Sequence, residues 1–423
     1  MTKRHVNLSV SLPVPGPQGA CSVQESATRC TRCNACVQSC PSYALRPQEM
    51  FSPRGRAQLM RLLTEGKLNI NSDDPTLREI ASSCLLCARC SAACAAQIPL
   101  AHHMIALRRE IGFQPLPAGL RFLMRLYTLS PSSFDLIVRF SLFLRRLGLA
   151  TIIKTFLPYW LKHLHTVLPK KTGSLRRRFI RQKISFQADK PHVLYLPSLY
   201  SQYADPQAGL LVWQLLEHKN PAALFEQATG LFEYVYGSRT RCLKTAKKLL
   251  RAWEQIAAGR DLPLVTDSIE IYGFLKNYPL LFNTIPGWKK RAEHFAAHVQ
   301  FITDGAFPVK RKTFTARVAL EDSSLLCAAQ AQVARARKLL LTTYGKNLIE
   351  CAYSRFSLLA GSMFARGNRA NELLQRQVSE IASKQIDKIY CLSPWTALEL
   401  NAALRKKYPG AQAQFIIYLR TEV

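Results

Sequence analysis

The chain has 423 residues, 48% of them hydrophobic, and a formal net charge of +31. That length predicts two or three domains with cores of their own, and the apolar share excludes a disordered chain. No stretch offers the ~18 uncharged apolar residues of a membrane span. The first residues, Met1 to His5 followed by a run containing Pro13, Pro15 and Pro17, hold no apolar segment of the kind a secretory leader needs. Cytoplasm is therefore the expected compartment, where thiols stay reduced.

Residues 1–20, rich in proline and glycine, read as a flexible lead-in. Cys30, Cys33, Cys36 and Cys40 then follow at intervals of three, three and four, with Pro41 directly after. Cys84, Cys87, Cys90 and Cys94 repeat that spacing, so eight of the thirteen cysteines fall into two identical quartets. Three thiolates at intervals of three can face three corners of one cube, while the fourth points to a neighbouring one. Bacterial-type ferredoxins hold [4Fe–4S] clusters with this spacing. The expected ligand sets are Cys30, Cys33, Cys36 and Cys94 for one cluster, and Cys84, Cys87, Cys90 and Cys40 for the second. Structural zinc takes separated pairs of ligands rather than runs of four, and nothing here supplies the oxidising context of a disulfide framework. Ala95 stands where a proline would be usual, which weakens the turn after Cys94 but removes no ligand.

Between the quartets, Ser52 and Pro53 look like a helix start leading into Ala57 to Leu63, and Asp73 to Thr76 open another helix. The expected fold here is a helical two-cluster ferredoxin domain over 21–115. Arg29, Arg32 and Arg89 lie near the ligands and should favour the reduced state. His102 and His103 read as solvated helix residues.

Residues 116–183 carry fourteen lysines and arginines against one acidic residue, Asp135. Leu136 to Leu147 is apolar with arginines spaced through it, Ile152 to Trp160 continue the pattern, and Lys170-Lys171 and Arg176 to Arg178 close it. A basic amphipathic helical linker over 116–190 suits either an anionic membrane surface or packing on its own protein. Nucleic acid is disfavoured because no binding module accompanies the charge.

From His192 the pattern changes. Val193 to Pro197 reads as a buried strand, a helix is expected from about Pro206 to His218, and Asp261 to Thr266 reads as a second strand. Phe314 to Leu320 and Lys388 to Leu392 bracket a similar unit, so 191–310 and 311–423 look like a duplicated α/β domain with parallel sheets. Neither copy has a glycine-rich phosphate loop. The whole is an α+β multidomain chain.

On these residues the chain resembles the glycolate oxidase iron–sulfur subunit family. The relatives of that family include the lactate-utilisation and anaerobic glycerol-3-phosphate dehydrogenase iron–sulfur subunits and heterodisulfide reductase-type proteins. The marks are the two quartets and the Ser52-Pro53-Arg54-Gly55-Arg56 run between them. The family pattern is a dicluster ferredoxin domain followed by two cysteine-rich domains, but here the latter lack their cysteines. Ala228 and Thr229 replace a paired Cys-Cys, Ser268 and Ile271 stand where thiols would be, and Glu321-Asp322-Ser323-Ser324 replaces a cysteine-bearing element. The resemblance implies an electron-transfer subunit with two [4Fe–4S] clusters, relaying from a flavin-dependent 2-hydroxy-acid dehydrogenase partner to a membrane quinone. It implies no catalytic residue in this chain, a cytoplasmic or peripheral membrane location, and degenerate domains that serve as scaffold. Cys327, Cys351 and Cys391 are expected to be buried small hydrophobes. Lactate or glycerol 3-phosphate systems, a heterodisulfide reductase-like complex and a redox-responsive nucleic-acid-binding regulator stay open as alternatives.

Overall fold

The structure is a computed structural model that describes residues 6, 14–16, 19–113, 118–129, 136, 138, 174–218, 220–236, 238–304, 315–321, 330–351 and 368–419. The N-terminal lead-in is not wholly irregular. β1 (Val14–Gly16) and β2 (Gly19–Cys21) form an antiparallel hairpin, because Val14 is buried against the helical core and pins the segment down.

α1 (Val23–Thr28) opens with a capping box between Ser22 and Glu25. α2 (Pro41–Leu45) begins on the proline after Cys40, and α3 (Pro53–Thr64) on the proline after Ser52. α4 (Pro75–Ser83) is capped by Asp74, whose carboxylate accepts from the Leu77 amide. α5 (Arg89–Ala92) is a single turn inside the second quartet, and α6 (Leu100–Glu110) is the central rod against which α3, α4 and α5 pack. Every residue of α6 from Leu100 to Arg108 is buried. This overturns the expectation for His102 and His103, which are interior side chains because their helix is covered on all faces.

Of the basic linker, α7 (Ala118–Leu129) and α8 (Leu175–Arg181) are described, and apart from Leu136 and Val138 the stretch 130–173 lies outside the described residues. α8 behaves as a packed connector on one face. Leu175 and Phe179 are buried, and Phe179 lies 5.0 Å from the ring of Trp213.

The C-terminal half contains two parallel sheets. β3 (Val193–Leu196), α9 (Pro206–Glu217), β4 (Ala222–Leu224), α10 (Leu231–Tyr236), α11 (Arg239–Ala257), β5 (Leu264–Thr266), α12 (Ile269–Lys276), α13 (Tyr278–Leu281), α14 (Pro286–His298) and β6 (Val299–Phe301) form the first unit. Its strand order is β4-β3-β5-β6, all parallel. In the second unit β7 (Val318–Glu321), α15 (Gln330–Tyr344), α16 (Asn368–Ser383), β8 (Lys388–Cys391), α17 (Pro394–Lys407) and β9 (Gln412–Phe415) give β7-β8-β9, again parallel. A bridge from Val318 to Leu348 occupies the position that β4 holds in the first unit. The two sheets therefore share one topology, and the duplication read from the sequence is present in the fold. β3, β5 and β7 are buried at every residue, as strands covered on both faces must be. The units meet through their strand ends. Tyr418 Oη donates to Asp205 Oδ2 at 2.6 Å, and Gln332 bridges Tyr272 Oη and Asp304.

Candidate metal centre

Both cysteine loops bend in the same way around their second cysteine. Arg32 and Asn34 flank Cys33 with φ of 59° and 68°, and Leu86 and Ala88 flank Cys87 with φ of 55° and 56°. Left-handed conformation at a residue with a side chain costs about 1–2 kcal/mol, so four such positions in matching places mark a conformation the surroundings impose. Alternating handedness turns successive amides inward, the concave nest found around anions and iron–sulfur sites. The amides meet sulfur accordingly. Leu86 N–H donates to Cys84 Sγ at 3.4 Å, the Ala35 amide holds the Cys33 thiol below its ordinary range, and the Arg89 amide opposes the rise at Cys87. The repeat breaks after the fourth cysteine. Pro41 starts α2, whereas Cys94 leads into a turn with Gln97 at φ 50°, the local effect of alanine in place of proline at 95.

The loops line two adjacent hollows. Cys30, Cys33, Cys36 and Cys94 surround the first, and Cys40, Cys84 and Cys87 the second. Cys90 and Leu100 line both and so form the wall between them. The first opens to solvent at Cys33, which is exposed, while Cys40 and Cys87 are buried. Burial pushes the Cys36 thiol up to about 11, with repulsion from Cys94, Cys30 and Cys33 adding to it. Burial pushes Cys87 up to about 12, reinforced by Cys40 and Cys84, and drives Cys90 well above its ordinary value.

Arg56 brings a buried positive charge to the thiols, a role that its sequence neighbourhood does not announce. It is 2% exposed, donates Nη1–H to Cys40 Sγ at 3.7 Å and Nη2–H to Ser83 Oγ at 2.7 Å. Ser42 Oγ in turn donates to the Ser83 carbonyl at 2.6 Å, so Cys40 and Cys84 are drawn together through their sequence neighbours. The residues around Arg56 explain why it arrives there. Ser52 caps α3 by accepting from Gly55 N–H at 2.8 Å, and Pro53 takes the first helical position. Arg54 grips both oxygens of Glu49 at 2.8 Å, reaches Asn34 in the first cysteine loop, and holds the Glu49 carboxyl below its usual range. Gly55 faces the Glu49 carbonyl so closely that a Cβ would lie 2.1 Å from its oxygen. The named arginines lie less centrally. Arg29 donates to Cys21 Sγ and Ser26 Oγ, Arg32 to Gln58, and Arg89 lowers Cys87 weakly.

Both C-terminal units press on this domain. Leu373 of α16 is buried against Leu85 and Leu45, beside the second hollow. On the other side His102 Nδ1 lies 2.6 Å from Tyr234 Oη, Arg109 donates to the Tyr234 carbonyl at 3.0 Å, and Thr128 Oγ1 donates to Glu233 at 2.7 Å. Burial, with Arg109 adding to it, pushes His102 down to about 4. Burial pushes His103 down to about 3, aided by His102 and Arg29, and neither of its ring nitrogens has a partner among the described residues.

The positions where the family carries thiols in the C-terminal units now do structural work. Thr229 offers its carbonyl to Tyr278 Oη at 2.5 Å, while Ser268 caps α12 and donates to Glu270 at 2.7 Å. Cys351 and Cys391 are buried, the first with its thiol pushed up to about 12 by burial. Glu321 is buried at the end of β7, and residues 322–324 and Cys327 lie outside the described residues.

Two sets of mutually repelling, largely sheltered thiols, fed by inward amides and the buried Arg56 guanidinium, suit a multiply charged metal group, since coordination removes the thiol proton outright. The residues fit such a group. Residues 26–98 match the 4Fe-4S dicluster domain family. The chain is also 25% identical to the glycolate oxidase iron-sulfur subunit of Escherichia coli (strain K12) over 258 residues, which is 59% of this chain. That match spans 58% of the relative's length. The resemblance to the glycolate oxidase iron–sulfur subunit family thus stands on the dicluster domain and on this relative. No solved structure matches the chain. Among the described residues no helix is long and apolar enough to cross a membrane.

Proposed function

We propose that this chain is an iron–sulfur electron-transfer subunit. Cys30, Cys33, Cys36 and Cys94 would hold one [4Fe–4S] cluster, and Cys84, Cys87, Cys90 and Cys40 a second. The observation that carries the reading is the pair of thiol-lined hollows separated only by Cys90 and Leu100. Clusters bound there would accept and release single electrons. The chain's own residues set the conditions. The nests offer amides to sulfur, Arg56 places a buried positive charge beside Cys40, and Leu373 with Leu85 forms an apolar cover on one side of the second hollow. The exposed side at Cys33 is the natural approach for a donor or acceptor.

The likeness to a glycolate oxidase subunit supports a flavin-dependent 2-hydroxy-acid dehydrogenase as donor and a membrane quinone as acceptor. Exposed Phe122 and Ile180 beside Arg121, Arg125, Arg177 and Arg181 suit an anionic membrane face. The proposed domains keep the boundaries 21–115, 116–190, 191–310 and 311–423. The test is anaerobic purification, iron and sulfide analysis and low-temperature EPR of the reduced protein. About eight irons per chain are expected, falling by half or more in Cys36→Ser and Cys87→Ser while the C-terminal units stay folded. Stoichiometric zinc without iron would overturn the assignment.

A further inference from the structure

Away from the cysteines, the first C-terminal unit holds another set of metal-ligating side chains. His294 and His298 are four residues apart on α14, so both imidazoles share one face of the helix. Asp261, in the loop entering β5, reaches the same point. Its Oδ1 lies 3.0 Å from His298 Nε2 and 3.9 Å from His294 Nε2, and the ligand atoms of all three residues fall within 4.8 Å of one another. Tetrahedral zinc with bonds of about 2.0–2.2 Å sets its ligand atoms about 3.3 Å apart, between the first two distances.

The hydrogen bonding of His298 points to a cation. Its Nδ1 lies 2.8 Å from the His294 carbonyl, an acceptor, so Nδ1 carries the proton. In the neutral ring Nε2 then presents a lone pair to the Asp261 carboxylate. Two acceptors 3.0 Å apart need a positive species between them, either a second imidazole proton or a metal ion. A backbone carbonyl on the far nitrogen is also the partner that fixes metal-ligating imidazoles. The set is held in place. Trp253 packs on both rings at 5.4 and 5.6 Å, and its indole N–H donates at 3.0 Å to the carbonyl of Leu262, next to Asp261. Neighbouring cations are engaged elsewhere, Arg291 with Glu254 and Arg260 with the carbonyls of Ile256, Ala257 and Pro191.

We propose that Asp261, His294 and His298 form a site for a divalent first-row transition ion of the zinc type, with the fourth position left to water. Two imidazoles select such ions over magnesium and calcium. A bound ion ties the loop before β5 to α14 and so stabilises the first C-terminal unit.

The test is calorimetric titration of Zn²⁺ into the full chain, purified with its iron in place, alongside His294→Ala and Asp261→Asn. Both positions are solvent-facing, so the variants should fold. One equivalent is expected to bind the unaltered chain and to weaken at least about tenfold in each variant. The thermal midpoint should rise with Zn²⁺ in the unaltered chain alone. Zinc taken up by stray thiols would be common to all three proteins and cancels in the comparison. Equal binding by all three, or no binding by the unaltered chain, would mean that an imidazolium proton alone sits between these groups and would overturn the proposal.

Discussion

Gly55→Ala sets two effects of opposite sign against each other. Its backbone is ordinary helix in the first turn of α3, so propensity alone predicts that alanine stabilises, by up to about 1 kcal/mol. The structure predicts the reverse. The new Cβ would lie 2.1 Å from the Glu49 carbonyl oxygen and 2.9 Å from its carbon, both backbone atoms that no rotamer change can remove. Relief requires α3 and the 3₁₀ turn Glu49–Phe51 to separate by roughly an ångström, and overpacking of this kind costs about 1–3 kcal/mol. The net expectation is a loss of up to about 2 kcal/mol. The next residue is Arg56, so the same displacement draws its guanidinium from Cys40 Sγ and weakens iron retention. Urea unfolding followed by circular dichroism, with iron measured per chain, reads both effects. A midpoint at or above that of the unaltered chain, with full iron, would refute the steric argument.

Arg56→Met keeps most of the buried volume but removes the charge beside Cys40. The potential of the cluster proposed at Cys40 should fall by on the order of tens of millivolts, with a smaller change in the cluster proposed beside it. An EPR-monitored redox titration in which neither potential moves would sever that link. His102 and His103 have folded-state values below the unfolded one, so their contribution is present above about pH 6.5 and is lost as pH falls towards 4 and 3. Each should cost about 1.4 kcal/mol per pH unit in that window. His103→Leu, which breaks no hydrogen bond, should match the unaltered chain at pH 7 and show a shallower decline at pH 5 in urea unfolding. Leu373→Ala should cost about 2–5 kcal/mol and speed iron loss to a chelator, because it opens the contact with Leu85 and Leu45. An unchanged chelation rate would mean that α16 does not seal the second hollow.

The cysteine quartets were legible because their spacing is local, and the alternation of strands and helices exposed the duplicated C-terminal half. What escaped was set by tertiary burial. His102 and His103 sit in a polar-looking stretch, and only the packing of α3, α4, α5 and α10 around α6 makes them interior. Arg56 was visible as part of Ser52 to Arg56, yet nothing local says that a basic residue in an amphipathic helix turns inward to sulfur. The carbonyl that demands glycine at 55 belongs to Glu49, and the match is one of position rather than composition. Val14 likewise orders a proline-rich segment by burying one side chain. Of the segment Phe314 to Leu320 that opens the second unit, β7 takes Val318 onward, where burial becomes continuous, and Phe314 lies outside the described residues.

Leu373 packs on Leu85, beside cysteines encoded some 280 residues earlier in the chain. The wall beside the second hollow is therefore incomplete until synthesis has passed α16, whereas the Cys33 side lies open in the finished fold. If Cys84, Cys87 and Cys90 take up iron as proposed, access from that side would narrow once the last unit docks. The proposed set Cys30, Cys33, Cys36 and Cys94 would stay reachable from the open side throughout the life of the protein. Oxidative loss should then be repairable at one position and lasting at the other, so that a damaged population divides by age.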